Sequence, residues 1–180
     1  MQTYLALLRG VNVGGKAKIK MADLVACLES AGLKNVQTYI QSGNVIFGSN
    51  EHDKSKLKKI IETKIEKTFT LSVQVVIFTA QEWQTLVKKA PKEWGRREDW
   101  KHNLLIMLDS TPMDSVLEAV GELKPYIEWM VPGDGVLYQS MSRKFFGRTT
   151  TGKLASSPIY RQMTIRNYNT TMKLADILQK

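Results

Sequence analysis

The strongest constraint on this chain is that one sequence plan occurs twice. In each copy a continuous apolar run of strand length is followed by a loop, a helical stretch and two short strands joined by a turn containing glycine. Consecutive rather than alternating apolar residues are the pattern of a strand covered on both faces, whereas a repeat of 3.6 marks an amphipathic helix. The first copy opens with Thr3 to Leu8 and the second with Leu104 to Leu108.

In the first copy, the basic, glycine-rich loop Gly10 to Lys20 leads to a helix from about Met21, with Met21, Leu24, Val25 and Leu28 forming its apolar pattern. Gly32 falls just past its end, where left-handed backbone closes helices. Val36 to Ile40 and Asn44 to Phe47 predict a hairpin turned through Gln41-Ser42-Gly43. Leu57, Ile60, Ile61, Ile65 and Phe69 make one face of a second helix whose other face is rich in lysine, and Val73 to Phe78 supplies a fourth strand. The order β-α-β-β-α-β is that of ferredoxin-like folds.

Residues 80–101 read as a connector: a short helix from Gln81 to Lys89, then Pro91, then the charged and aromatic run Trp94 to Lys101. After Leu104 to Leu108, Asp109-Ser110-Thr111-Pro112 offers capping side chains and a proline for the first turn of a helix reaching about Leu123. Tyr126 to Val131 and Val136 to Met141 form the second hairpin, turned at Pro132-Gly133-Asp134-Gly135. The copy then diverges. Ser142 to Gly152 is basic, Lys153 to Met163 is read as helical with an interruption at Pro158, Thr164 to Asn167 as a short strand and Thr170 to Leu178 as a final helix. The expected fold is α+β, with antiparallel sheets in two tandem ferredoxin-like halves, 1–79 and 102–180, joined by 80–101.

Composition excludes several classes. With 43% hydrophobic and 24% charged residues the chain is neither disordered nor a membrane protein by composition. No apolar run approaches the roughly 20 residues of a membrane helix, and Met1 to Gly10 lacks the basic region and cleavage site of a signal peptide. A cytoplasmic protein that does not engage a membrane is expected. A single cysteine excludes an internal disulfide, and with only His52 and His102, far apart, no metal-ligand cluster is recognisable. Neither a metal nor a cofactor is therefore expected. Cys27, beside the first helix's apolar stripe, reads as a buried, inert thiol.

The formal charge of +9 is unevenly spread, and residues 124–175 alone hold eight basic and two acidic side chains. Such an excess points to nucleic acid or another polyanion as partner. Two patterns sharpen that. Gly10-Val11-Asn12-Val13-Gly14-Gly15-Lys16-Ala17 matches a phosphate-cradling loop at every position but the last, where Ala17 lacks the hydroxyl that would hold magnesium. The near match Gly147 to Lys153 likewise ends in Leu154. A hairpin-rich plan is also not the parallel sheet such hydrolases use, so what survives is anion binding by backbone amides and Lys16. The second pattern is arginine beside aromatics, in Trp94-Gly95-Arg96-Arg97, Arg143-Lys144-Phe145-Phe146-Gly147-Arg148 and Tyr160-Arg161. These groups can neutralise phosphates and stack on bases, although the RNP1-type pattern is missing from both hairpins. For Phe145 and Phe146, packing in the core with arginines at the rim is the simpler expectation. No nucleophile and base lie at catalytic spacing: Ser42 reads as a turn residue and Glu98-Asp99 as a solvated face.

The chain resembles the bacterial domain-of-unknown-function family 1697. The resemblance is carried by Leu8 to Lys16, Lys20-Met21, Thr38 to Phe47, Thr164 to Thr170 and Lys173-Leu174. It implies two ferredoxin-like parts and no particular activity. Its polar residues, Arg9, Asn12, Lys16, Gln41, Ser42, Asn44, Arg166, Asn167, Asn169 and Lys173, sit at strand ends, turns and a helix start, where binding groups concentrate. They are candidates for one anion-accepting site, with Lys16 or Arg166 supplying charge and the amides orientation. Their alternative role is structural, with Asn169 or Thr170 as a helix N-cap and Gln41 and Asn44 bonding within turns or between halves.

The leading expectation is thus a non-catalytic binding protein for an anion, with nucleic acid or nucleotide favoured. The first alternative is a small-molecule enzyme with a pocket between the halves, using Arg166 and Ser42. The second is an interaction protein without ligand, in which Arg9→Ala or Arg166→Ala alters stability alone.

Overall fold

The computed structural model of the chain describes residues 1–12, 19–108, 111–150 and 154–179. It divides into two units, Met1–Gln84 with Ile177–Lys180, and Thr85–Asp176.

The first unit contains β1 (Gln2–Arg9), α1 (Met21–Ser30), β2 (Lys34–Tyr39), β3 (Asn44–Ser49), α2 (Lys54–Phe69) and β4 (Gln74–Thr79). Its antiparallel sheet has the order β2-β3-β1-β4, with Leu5 paired to Ile46 on one side and Phe78 on the other. Tyr4, Ala6 and Leu8 pack with Leu24, Leu28, Leu57, Ile61 and Ile65. Fully burying an aliphatic side chain stabilises by about 1.5–3 kcal/mol, so this cluster is the main source of the unit's stability. Leu5 and Leu7 are equally buried, as the unbroken apolar run predicts. Ile60, read as part of the α2 stripe, is instead exposed. It lies one position before Ile61, about 100° around the helix, and so falls off the core-facing side.

Helix ends follow local chemistry. At the end of α1 the Gly32 amide donates to Glu29 and the Leu33 amide to Leu28, with Gly32 at φ +94°, the left-handed closure its position predicts. Asp53 caps α2 by accepting the Ser55 and Lys56 amides at 2.8 and 3.3 Å. Cys27 is buried in this unit, its Sγ 3.4 Å from Thr68 Oγ1.

α3 (Ala80–Lys88) leads into the second unit, which contains β5 (Trp100–Met107), α4 (Met113–Val120), β6 (Glu128–Pro132), β7 (Val136–Ser142), β8 (Met163–Asn167) and α5 (Tyr168–Leu178). The sheet order is β6-β7-β5-β8, all antiparallel, so strand for strand it repeats the first. The two units are tandem ferredoxin-like halves of an α+β protein. Leu105, Met107, Val116, Val120, Leu137, Leu154 and Met163 form the core beneath α4.

Several expectations are corrected here. Between β7 and β8, where the first unit has α2, the described residues of the second include the short 3-10 turns Phe146–Arg148, Leu154–Ser156 and Pro158–Gln162, so 154–162 is 3-10 rather than α-helical. Pro158 has no amide hydrogen to continue a helix, and Ser157 caps a new turn at Ile159 instead. α4 starts after Pro112 with no side-chain cap, because the Thr111 hydroxyl donates back to the Leu108 carbonyl. It stops at Val120, three residues short of Leu123, where Gly121 turns to φ +71°. β5 begins at Trp100, ahead of its apolar run, and α5 begins at Tyr168. Asp109, Ser110 and the residues 151–153 that end the second loop match lie outside the described residues. Among the described residues no helix is long and apolar enough to cross a membrane.

Candidate functional site

The run Trp94 to Lys101 is held against the second sheet by its aromatics. The Trp94 indole Nε1 donates to the carbonyls of Asn103 and Gln139, both at 3.3 Å, on the neighbouring strands β5 and β7. Its ring meets those of Tyr138 and Tyr168 edge-on, with centroids 5.3 and 4.9 Å away. The Tyr138 hydroxyl donates to the Leu86 carbonyl at 2.7 Å, and burial pushes its pKa up to about 12. A buried aromatic with its polar tip satisfied is a strong fastener.

His102 fixes the same run from the strand side. Its Nε2 lies 2.8 Å from the Arg97 carbonyl and its Nδ1 2.7 Å from Ser140 Oγ. A carbonyl only accepts, so Nε2 is assigned the proton, and in the neutral ring Nδ1 accepts from the Ser140 hydroxyl. One residue along, Asn103 Nδ2 donates to Gln139 Oε1 at 2.8 Å. Both are direct cross-strand pairs in the β5–β7 register.

Between this run, β5 and the start of α5 lies a cleft of about 640 Å³. Three cations line it, Arg97, Lys101 and Arg143, against one carboxylate, Glu98. Arg97 lies 4.3 Å over the Trp100 ring and pairs with the exposed Asp99 at 3.0 Å. Among the described residues no carboxylate is within ion-pair distance of Lys101 or Arg143. Tyr168, partly buried, and Asn103, Asn167 and Asn169 also line the cleft, while Trp100 is buried beneath Arg97. A positive, partly aromatic concavity with several amides is suited to an anion bearing a planar group. Among the described residues no cluster of three or more His, Cys, Asp or Glu side chains could hold a metal ion.

Of the residues singled out in the sequence, Asn167 and Asn169 line this cleft. Asn167 is also the helix cap, its Oδ1 accepting the Thr170 amide at 2.8 Å, so the cap is neither Asn169 nor Thr170. Arg166 is buried and outside the lining, its Nη1 donating to Thr164 Oγ1 and the Ile165 carbonyl, both at 2.9 Å. Burial lowers its pKa to about 10, still far above neutrality, so it stays a cation. Lys173 is exposed on α5.

The remaining candidates belong to the first unit. Asn12 clasps the base of its loop: Oδ1 accepts the Ile19 amide at 2.8 Å and Nδ2 donates to the Ile19 carbonyl at 3.0 Å. Asn44 is fully buried, donating to the Tyr39 carbonyl and Ser42 Oγ at 3.0 Å each, so it builds its own turn. Gln41 is exposed in that turn, and Arg9 is partly buried at the end of β1, opposite Gln74. Lys16, with most of the phosphate-loop pattern, lies outside the described residues.

Sequence reasoning singled out Trp94 to Arg97 and Arg143 to Arg148 as nucleic-acid signals, but gave no binding role to Lys101, His102, Asn103 or Tyr168. The signal for Trp94 and Arg143 was arginine beside aromatics. No local signal existed for His102 and Asn103, whose partners Ser140 and Gln139 are 38 and 36 residues away. Phe145 and Phe146 are not core residues: Phe145 is partly buried and Phe146 is 40% exposed, with Lys101 Nζ 4.0 Å from its centroid.

A solved structure of a conserved bacterial protein from Streptococcus pneumoniae is 28% identical to this chain, with a TM-score of 0.88 over 100% of this chain and 99% of that one. No curated protein matches. Over residues 1–138 the sequence matches a family described as a protein of unknown function, DUF1697. The matched span ends inside β7, so the cleft residues Arg143, Asn167, Tyr168 and Asn169 lie beyond it while Arg97 to Asn103 lie within. With more than half its length matched, the chain belongs to the DUF1697 family.

Proposed function

We propose that this protein is a non-catalytic binder of a phosphate-bearing ligand with a planar base, a nucleotide or a nucleic acid, and that the cleft beside β5 is its site. The observation that carries the reading is the presence of Lys101 and Arg143 on one cleft without a carboxylate partner among the described residues. Cations that are not neutralised internally favour an external anion, and the adjoining Tyr168 and Asn residues suit a base. Binding is favoured over reaction because the cleft's imidazole, His102, is engaged by the Arg97 carbonyl and Ser140 on its two nitrogens.

Fluorescence polarisation with a labelled adenine nucleotide and a labelled RNA oligonucleotide at low salt tests this. Binding is expected, weakening steeply as salt rises. Lys101→Ala and Arg143→Ala should each weaken it about tenfold, the scale of one charge-assisted hydrogen bond. Absence of affinity for both probes, or affinity untouched by both substitutions together, would sink the reading.

A further inference from the structure

Next to the cleft the chain displays two phenylalanines from a pinned turn. The Phe146 amide donates to the Arg143 carbonyl at 3.4 Å and the Arg148 amide to the Phe145 carbonyl at 2.8 Å. The buried Thr149 returns its hydroxyl to the Phe146 carbonyl at 2.6 Å, and Lys124 Nζ reaches the Arg148 carbonyl at 2.7 Å. The backbone is thus tied down while Phe146 stays 40% exposed. Each ring is accompanied by cations: Lys101 over Phe146 at 4.0 Å, and Lys144 and Arg148 near Phe145 at 5.4 and 5.5 Å.

Lys101 and Arg143 belong to both features, since both line the cleft, Lys101 covers Phe146, and Arg143 opens the turn. We infer that the cleft and the Phe145–Phe146 turn form one continuous path for single-stranded nucleic acid, with the cleft holding one nucleotide and Phe146 stacking the base of a neighbouring one. The inference rests on the cleft reading and extends it from a mononucleotide to an oligonucleotide. The chemistry is sequence-tolerant: every base has a face to stack on, and cations beside a ring suit the phosphates that flank a stacked base. A duplex, with its bases stacked internally, cannot use the Phe146 ring.

The test compares an adenine mononucleotide with an adenine hexanucleotide on the full chain, as wild type, Phe146→Ala and Phe146→Leu. The hexanucleotide should bind at least tenfold more tightly than the mononucleotide. Both substitutions should weaken hexanucleotide binding about tenfold, the scale of one stacked base, and leave mononucleotide binding unchanged. Phe146→Leu keeps an apolar side chain without a ring, so its loss is specific to stacking. If mononucleotide binds but hexanucleotide gains nothing and Phe146 is indifferent, the path is wrong and the cleft reading stands. If neither binds, both fall. If polyglutamate of matched charge binds as tightly as the hexanucleotide, the surface recognises charge alone and the path is again overturned.

Discussion

The ring of Tyr168 lies across Gly95 so closely that a Cβ built on Gly95 would overlap it. Gly95 also sits at φ +90°, where a side chain is strained whatever the space. This contact sets the first residue of α5 against the connector, both on the cleft wall. Gly95→Ala should therefore destabilise by about 2 kcal/mol or more, combining backbone strain with overpacking. In a Tyr168→Ala background the same change should lose its overpacking part, leaving about 1 kcal/mol of strain. Thermal denaturation of the four proteins measures the coupling, and additive costs would show that the ring is not what excludes a side chain there.

Asn44 provides a prediction in the first unit. Fully buried and bonded to both Tyr39 and Ser42, it closes the turn that brings Gly43 against Leu8. Asn44→Ala should cost about 1–3 kcal/mol by leaving partly buried partners unsatisfied. Asn44→Asp should cost more at neutral pH, because it offers an acceptor where donors are needed and buries a charge. Urea denaturation of both variants decides it: equal stability of Asn44→Asp and wild type would make the turn independent of this amide.

The repeated fold was legible because its signals are local. The unbroken apolar runs in β1 and β5, the Gly32 closure and the Leu57-Ile61-Ile65 stripe each depend on residues within a few positions. The candidate site was only half legible. Asn167 and Asn169 lie at a helix start that sequence marks, but Lys101 reads as one more surface charge until β5 and the turn at Phe146 bring it over a ring. Asn12 and Asn44 stand out in sequence equally, yet each spends hydrogen bonds on its own loop or turn. A side chain's spacing cannot tell a bond made inward from one offered outward. Nor could the sequence show that Pro158–Gln162, in otherwise helical spacing, forms a 3-10 turn capped by Ser157.

Tyr138 sets a dependence on alkaline pH. Burial raises its folded pKa from 10.0 to about 12, so the folded state holds the phenol proton more tightly than the unfolded chain. The resulting stability is full below pH 10 and is lost as pH rises from 10 to about 12, amounting to about 2–3 kcal/mol. Tyr138→Phe removes the titration and the hydrogen bond to Leu86, and should be about 1 kcal/mol less stable than wild type at pH 8. The difference should shrink above pH 10 and reverse near about pH 11. Tyr4, also raised by burial, is common to both proteins and cancels. Parallel stability curves from pH 8 to about pH 11.5 would contradict the assignment.

His102 provides the last prediction, because it ties the cleft wall to the sheet without occurring in any motif. Its Nε2 holds the Arg97 carbonyl and its Nδ1 meets Ser140, so one buried ring couples the connector to β7. His102→Ala removes both bonds and strands the Ser140 hydroxyl, at a cost of about 2 kcal/mol. The loss should be local. Amide hydrogen exchange across residues 94–100 should accelerate, since the Trp100 amide depends on the Arg97 carbonyl staying in place at 3.0 Å, while β1 and β3 keep their protection. Ser140→Ala should reproduce part of the stability loss but spare the Nε2 bond, and with it the exchange rates of 94–100. If both variants speed exchange there equally, the Ser140 side of the ring sets the wall. If neither does, the Trp94 indole and its two carbonyl bonds hold the wall without the imidazole.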